Sequence, residues 1–223
     1  MKKYLTNHIK KFIYLFVFIG FSSAIAGSYD DFFKAIRQDD ARTIKELLSR
    51  GFDPNTPDPK GQFGLYLALR EPSLKAAQVL IDWPITDVNI LNAKDESPLM
   101  LAALKGQQDL AERLIKKGAD VNKTGWTPLH YAASSGHLTI ISLLLENSAY
   151  IDAESPNGTT PLMMAAMYGT PAAVKLLLQE GADAQLKNQQ GLTALQFAQR
   201  GNRPDSAEAI AAAIRSKRPA GQW

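Results

Sequence analysis

An all-α solenoid of about six helix-turn-helix units is the fold this 223-residue sequence predicts. Three observations predict it. A short pattern returns as Ser97-Pro98-Leu99-Met100, Thr127-Pro128-Leu129-His130, Thr160-Pro161-Leu162-Met163 and Thr193-Ala194-Leu195-Gln196, at spacings of 30, 33 and 33 residues. Each copy carries an alanine three residues after its leucine (Ala102, Ala132, Ala165, Ala198), and the first three lead into aliphatic runs at Leu114-Ile115, Leu143-Leu144-Leu145 and Leu176-Leu177-Leu178. Those three units then close on Gly118-Ala119-Asp120-Val121-Asn122, Ser148-Ala149-Tyr150-Ile151-Asp152 and Gly181-Ala182-Asp183-Ala184-Gln185. Self-similarity at this period signals a stack of small units, none of which buries its apolar face alone.

Each residue type in the unit has a physical task. Thr or Ser caps a helix opened by Pro, whose missing N–H has no partner in the first turn anyway. Leu and Ala fall on one face, and the small Ala lets the next unit approach. Gly136 or Gly169 ends this helix in a conformation other residues reach only at a cost. The second helix carries the aliphatic run, Gly118 or Gly181 stops it, and a polar hairpin loop leads onward.

The pattern Thr-Pro-Leu-His-x-Ala resembles the ankyrin repeat, whose known fold is such a solenoid of helix-turn-helix units joined by hairpin loops. On that resemblance the repeat domain spans 28–215, with approximate units 28–60, 61–94, 95–124, 125–157, 158–190 and 191–215. The first unit lacks Thr-Pro-Leu, as a capping repeat with a charged outer side does, and Pro54, Pro57 and Pro59 stiffen the loop after it. The second is degenerate: Phe63-Gly64-Leu65-Tyr66 replaces the motif, Pro72 replaces the glycine, and Trp83-Pro84 interrupts the second helix, so a local distortion filled by Trp83 is expected there. Between Asn122 and Thr127 lie four residues, three fewer than between Asp152 and Thr160, so the hairpin Lys123–Trp126 is shortened. The last unit restarts after Pro204 as an alanine-rich capping helix, Ser206 to Ile214. Residues 216–223, short, polar and Pro/Gly-containing, are expected to form a disordered tail.

Residues 1–26 have the layout of a secretory signal peptide. Lys2, Lys3, Lys10 and Lys11 precede an apolar run from Phe12 to Phe21, and Ala24-Ile25-Ala26 offers a cleavage site before Gly27. The run is about half of the ~20 residues a membrane span needs, so no stable membrane insertion is expected after cleavage. The whole chain carries 25 Lys plus Arg against 22 Asp plus Glu, but four of those lysines and no acid lie in 1–26. The remainder has 21 against 22, a net charge of −1, which gives no support to nucleic-acid binding. No cysteine is present, which excludes disulfides and thiol chemistry and suits a bacterial periplasm better than a eukaryotic secretory route; secretion is the alternative.

No nucleophile elbow, zinc motif, phosphate loop or dinucleotide fingerprint occurs, so neither a cofactor nor a metal nor catalysis is expected. His130 and His137 stand where the resemblance places histidines that hydrogen-bond neighbouring units. Asp30-Asp31 and Asp39-Asp40 lie near helix starts, where they favour the positive end of the dipole. What remains is a surface. The resemblance implies a concave face that binds another protein, and the positions it offers are Arg70, Leu104, Trp126, Met167, Tyr168, Leu192 and Arg200. The expected function is a monomeric, non-catalytic protein-binding module in the periplasm; an inhibitor or immunity-type protein is the alternative, and an enzyme using the concave groove is disfavoured.

Overall fold

The computed structural model describes residues 27–216; the expected signal peptide, 1–26, and residues 217–223 of the expected tail lie outside the described residues. Twelve helices among the described residues form six pairs stacked side by side. They are α1 (27–37) and α2 (Ala41–Ser49), α3 (Gly64–Arg70) and α4 (Leu74–Asp82), α5 (Pro98–Lys105) and α6 (Gln108–Lys116), α7 (Pro128–Ser135) and α8 (Leu138–Glu146), α9 (Pro161–Met167) and α10 (Pro171–Gln179), α11 (Ala194–Arg200) and α12 (Pro204–Ser216). The last helix starts at Pro204 rather than Ser206, because Pro fits the first helical position, and it extends to Ser216, the first residue of the expected tail.

Helix starts follow the sequence. In α5 and α9 the hydroxyls of Ser97 and Thr160 accept the N–H of Met100 and Met163. In α7 and α11 the contact is also reciprocal from the other side: His130 Nδ1 and Gln196 Oε1 accept the N–H of Thr127 and Thr193, satisfying donors that no helical carbonyl can reach. Asp40 caps α2 by accepting from the backbone of Arg42 and Thr43. Its Thr43 hydroxyl bond, the largest cause, holds its carboxyl below the usual carboxylate range. Asp39 has a different task from the dipole role expected of it: it leaves α1 at φ 53 and accepts the N–H of Ala76, tying the first unit to the second.

The helices lie in two rows. The first helices α3, α5, α7, α9 and α11 pack closely on one another, whereas the second helices from α4 to α10 touch their row neighbours more sparsely. Leu65, Leu99, Leu129 and Leu162 fill the space between rows, and Ala68, Ala102, Ala132, Ala165 and Ala198 are wholly buried where first helices meet. Small residues bring that row together and leave open grooves between the second helices, one of about 680 Å³ lined by Leu138, Leu143 and Leu176. A stack whose one row is shorter than the other bends toward the shorter row, so the first helices form the concave side.

Two departures in the sequence have structural reasons. Gly64 stands where later units carry Pro because a side chain there would lie 2.8 Å from the Phe32 ring and 2.9 Å from Ile36 of α1. Gly169 does not end α9 in a left-handed conformation, as the sequence suggested; Tyr168 is the cap, and Gly169 is required because a Cβ would collide with the carbonyl oxygen of Ala133.

The expected distortion in the second unit is present. Trp83 terminates α4 in an extended conformation, half-buried against the core, and its carbonyl accepts the Lys117 ammonium. Burial, the main cause, lowers the pKa of that lysine. Loops are joined by a ladder running the length of the stack. Asn55 accepts the N–H of Asp87, Asn89 that of Asp120, Asn122 that of Tyr150, and Asp152 that of Asp183, at 2.8 to 3.1 Å. The three asparagines also donate to Ile85, Gly118 and Ser148 carbonyls, which an aspartate could not do.

Candidate functional site

The concave side is built from the outward positions of the first helices and from the hairpin loops before them. Four loops close by the same bond, in which Asp58, Asn92, Ser155 and Asn188 donate their N–H to the carbonyls of Gln62, Glu96, Thr159 and Leu192. The shortened loop at Lys123–Trp126 has no equivalent bond; Lys123 instead donates to Asp95 of the preceding loop and to the Thr124 carbonyl. Trp126 therefore folds inward, half-buried, its ring 5.2 Å from the His130 imidazole and edge-on to it.

His130 is fully buried, as its two bonds require. Nδ1 accepts from Thr127, and Nε2–H donates to the Thr159 carbonyl of the next unit at 2.8 Å. Burial, outweighing the favourable carbonyls, lowers its pKa from 6.5 to about 4, so it is neutral near pH 7 and serves as a joint. His137 likewise reaches the Leu104 carbonyl of the preceding unit, at 3.2 Å. Neither ring is placed as a free base. Among the described residues, no group of three or more His, Asp or Glu is arranged to hold a metal ion, and no helix is long and apolar enough to cross a membrane.

Sequence and fold together decide the family. The profile described as ankyrin repeats (3 copies) matches residues 32–123, 65–155 and 149–218, nearly the whole described region. The chain belongs to the ankyrin repeat family. Among solved structures, one of a predatory endopeptidase from Bdellovibrio bacteriovorus in complex with an immunity protein is similar at 31% identity and TM-score 0.70, over 82% of this chain and 97% of the matched one. An ankyrin repeat domain from Acinetobacter baumannii AYE is similar at 28% identity and TM-score 0.71, over the same shares. The human ASB11 ankyrin repeat domain, 24% identical with TM-score 0.73 over 86% of this chain and 85% of that one, shares the fold. Curated relatives include the rat ankyrin repeat and SAM domain-containing protein 6, 33% identical over 47% of this chain but only 12% of its own length.

On this ankyrin array the expected surface residues separate into two groups. Trp126 and Leu192 lie at the loop ends of the first helices, both half-buried. Arg70, Leu104, Met167, Tyr168 and Arg200 lie at the opposite ends, about 11 Å away along helices of seven or eight residues. Trp126 and Tyr168 thus do not form one aromatic cluster. Tyr168 is 56% exposed, and its carbonyl is held by Arg203. Arg70 pairs with Glu71 at 2.7 Å, Arg200 is exposed, and Leu104 packs against the core.

Between the two groups runs a ridge that the motif conceals. The variable position of Thr-Pro-Leu-His-x-Ala is Leu101, Tyr131, Met164 and Phe197 in successive units, half-exposed except for the more covered Leu101. Its signal was available: the x position, read vertically through the repeats, is apolar or aromatic throughout, and from Tyr131 onward these side chains are only partly covered by the core.

At one end of the ridge a carboxylate of the third unit is gripped from the second and the fourth. Glu96 Oε2 accepts from Tyr66 Oη of α3 at 3.2 Å and from Asn92 Nδ2 at 2.8 Å, while Oε1 accepts from Tyr131 Oη of α7 at 3.2 Å. Burial, and next the Glu96 charge, raise the pKa of both phenols, which therefore remain donors at neutral pH.

Proposed function

We propose that this ankyrin protein is a non-catalytic binding module of the bacterial periplasm that engages a partner protein along its concave side. The observation that carries the reading is the half-exposed ridge Tyr131, Met164 and Phe197, continued by the more covered Leu101 and flanked by Leu104, Met167 and Tyr168. Apolar and aromatic groups left half-exposed on a rigid surface are the types enriched at interfaces and hot spots. Arg70 and Arg200 toward the two ends supply polar rim contacts. Export rests on the three-part layout of residues 1–26. A second reading, an inhibitor or immunity-type protein blocking one exported enzyme, is favoured by the similarity to the immunity-protein complex.

Capture from periplasmic extract, with the N-terminus of the bait read by mass spectrometry, tests these readings together. A bait beginning at or within a residue or two of Gly27 supports export; an intact Met1 on native protein overturns it. One stoichiometric enzyme that loses activity on binding supports inhibition, and several partners support a scaffold. Met164→Ala with Tyr168→Ala should weaken capture by more than ~1 kcal/mol with the melting curve nearly unchanged. Capture at wild-type affinity would move the interface off this face.

A further inference from the structure

We propose that Glu96, held between Tyr66 and Tyr131, is the seat for an arginine side chain presented by the partner, an inference that rests on the concave-face reading above. Glu96 is the one glutamate among the described residues that is not exposed. Its neighbours in kind have cations: Glu46, Glu71, Asp82 and Asp95 pair with Arg42, Arg70, Arg113 and Lys123. Glu96 makes none of the ion pairs found among the described residues, and its three donors are all neutral.

That arrangement fixes the carboxylate without neutralising it. Half-burial weakens hydration of the charge, and neutral donors restore only part of what a cation would supply. A carboxylate offers about four acceptor sites, so three donors leave one vacant. The phenols come from α3 and α7, two units apart, and they aim the group from both sides before any partner arrives, which lowers the ordering cost of binding. Arginine fits better than lysine. Its planar fork can reach the vacant acceptor site, and its weak hydration and flat face suit a site flanked by two phenol rings and the apolar ridge.

The competing role for Glu96 is a staple between units, and the experiment separates the two. N-acetylarginine amide is titrated into the protein while the side-chain NMR signals of Tyr66 and Tyr131 are followed; N-acetylcitrulline amide, uncharged and nearly the same shape, is the control. Arginine amide should shift both signals at least about tenfold more tightly than citrulline amide, and Glu96→Gln should abolish the difference with its melting temperature kept. Tyr131→Phe, which retains the ring and frees the carboxylate, should weaken arginine amide by a few fold. Equal response to both probes, or a Glu96→Gln protein that melts earlier yet binds arginine amide as before, overturns the proposal in favour of the staple. For a captured partner, Glu96→Gln should weaken affinity at least about tenfold and flatten its salt dependence. Undiminished capture on the concave face would overturn the arginine seat and leave the binding function standing. Saturation of Glu96 by arginine amide with no partner on that face would support the seat and overturn the function.

Discussion

His130 shows how one residue sets a condition on the whole array. Its imidazole supplies a helix cap at Nδ1 and an inter-unit bond at Nε2; the cap needs the neutral ring, because a protonated Nδ1 cannot accept, whereas Nε2–H donates in either form. With a folded pKa of about 4 against 6.5 unfolded, the unfolded chain binds the proton first as pH falls. Stability from this group is thus complete above about pH 6.5 and is lost between there and about pH 4, by on the order of 3 kcal/mol. Urea midpoints measured across that window should fall with pH. His130→Gln, which copies the Thr193 and Gln196 pair of the last unit, should lose about 1–3 kcal/mol at pH 7 and flatten the dependence; an equally steep profile in the variant would assign the titration to another group. Asp40, whose pKa is lowered, acts in the opposite region: its contribution is present above the unfolded carboxylate range and disappears only in stronger acid.

At the scale of the element, what holds first helices together is the absence of side chain where they cross. Gly169→Ala would drive a methyl into the Ala133 carbonyl oxygen, a backbone atom that cannot step aside. It should cost about 1–3 kcal/mol or more. Gly118→Ala meets nothing within 4 Å but must hold φ near +94, a conformational cost of about 1–2 kcal/mol. Thermal melts should rank Gly169→Ala as the worse, and the reverse order would mean that the helices can separate freely. The contrast marks what was legible in the sequence. Both glycines sit at helix ends, and local chemistry predicted a left-handed turn for each; only Gly118 has one, because the constraint on Gly169 comes from a carbonyl 36 residues earlier in the chain. The repeat spacing, the Thr-Pro-Leu caps, the degenerate second unit and the shortened loop were readable because each depends on neighbours in sequence. The Tyr66, Glu96 and Tyr131 grip was not, since its members lie 30 and 35 residues apart and meet only once units are stacked. The separation of Trp126 from Tyr168 is hidden in the sequence for the same reason: repeat position places both on the concave face but does not say at which end of a helix each lies.

At the scale of the molecule, stability resides in the contacts between units, and Leu144 tests this. It is fully buried on α8 of the fourth unit, at the centre of the stack, together with Ile140 and Ile141. Leu144→Ala removes buried methyl groups and should cost about 2–5 kcal/mol. In a globular core that loss would be felt once, by everything. In a solenoid each unit is stabilised by its neighbours, so a weak central unit lowers the coupling on both sides. The outer pairs then have only one intact interface each on which to rely. Hydrogen exchange should therefore show the largest loss of protection in α7 and α8, a smaller loss in α5, α6, α9 and α10, and the least in α2 near the N-terminal cap. The ladder from Asn55 to Asp183 and the two histidine joints connect consecutive units, so their amides report the spread step by step. Uniform loss across all twelve helices would mean that the array unfolds as one unit, with interfaces far stronger than the units they join. Loss confined to α7 and α8 would mean that the neighbours are self-sufficient, which the buried alanines shared between first helices argue against.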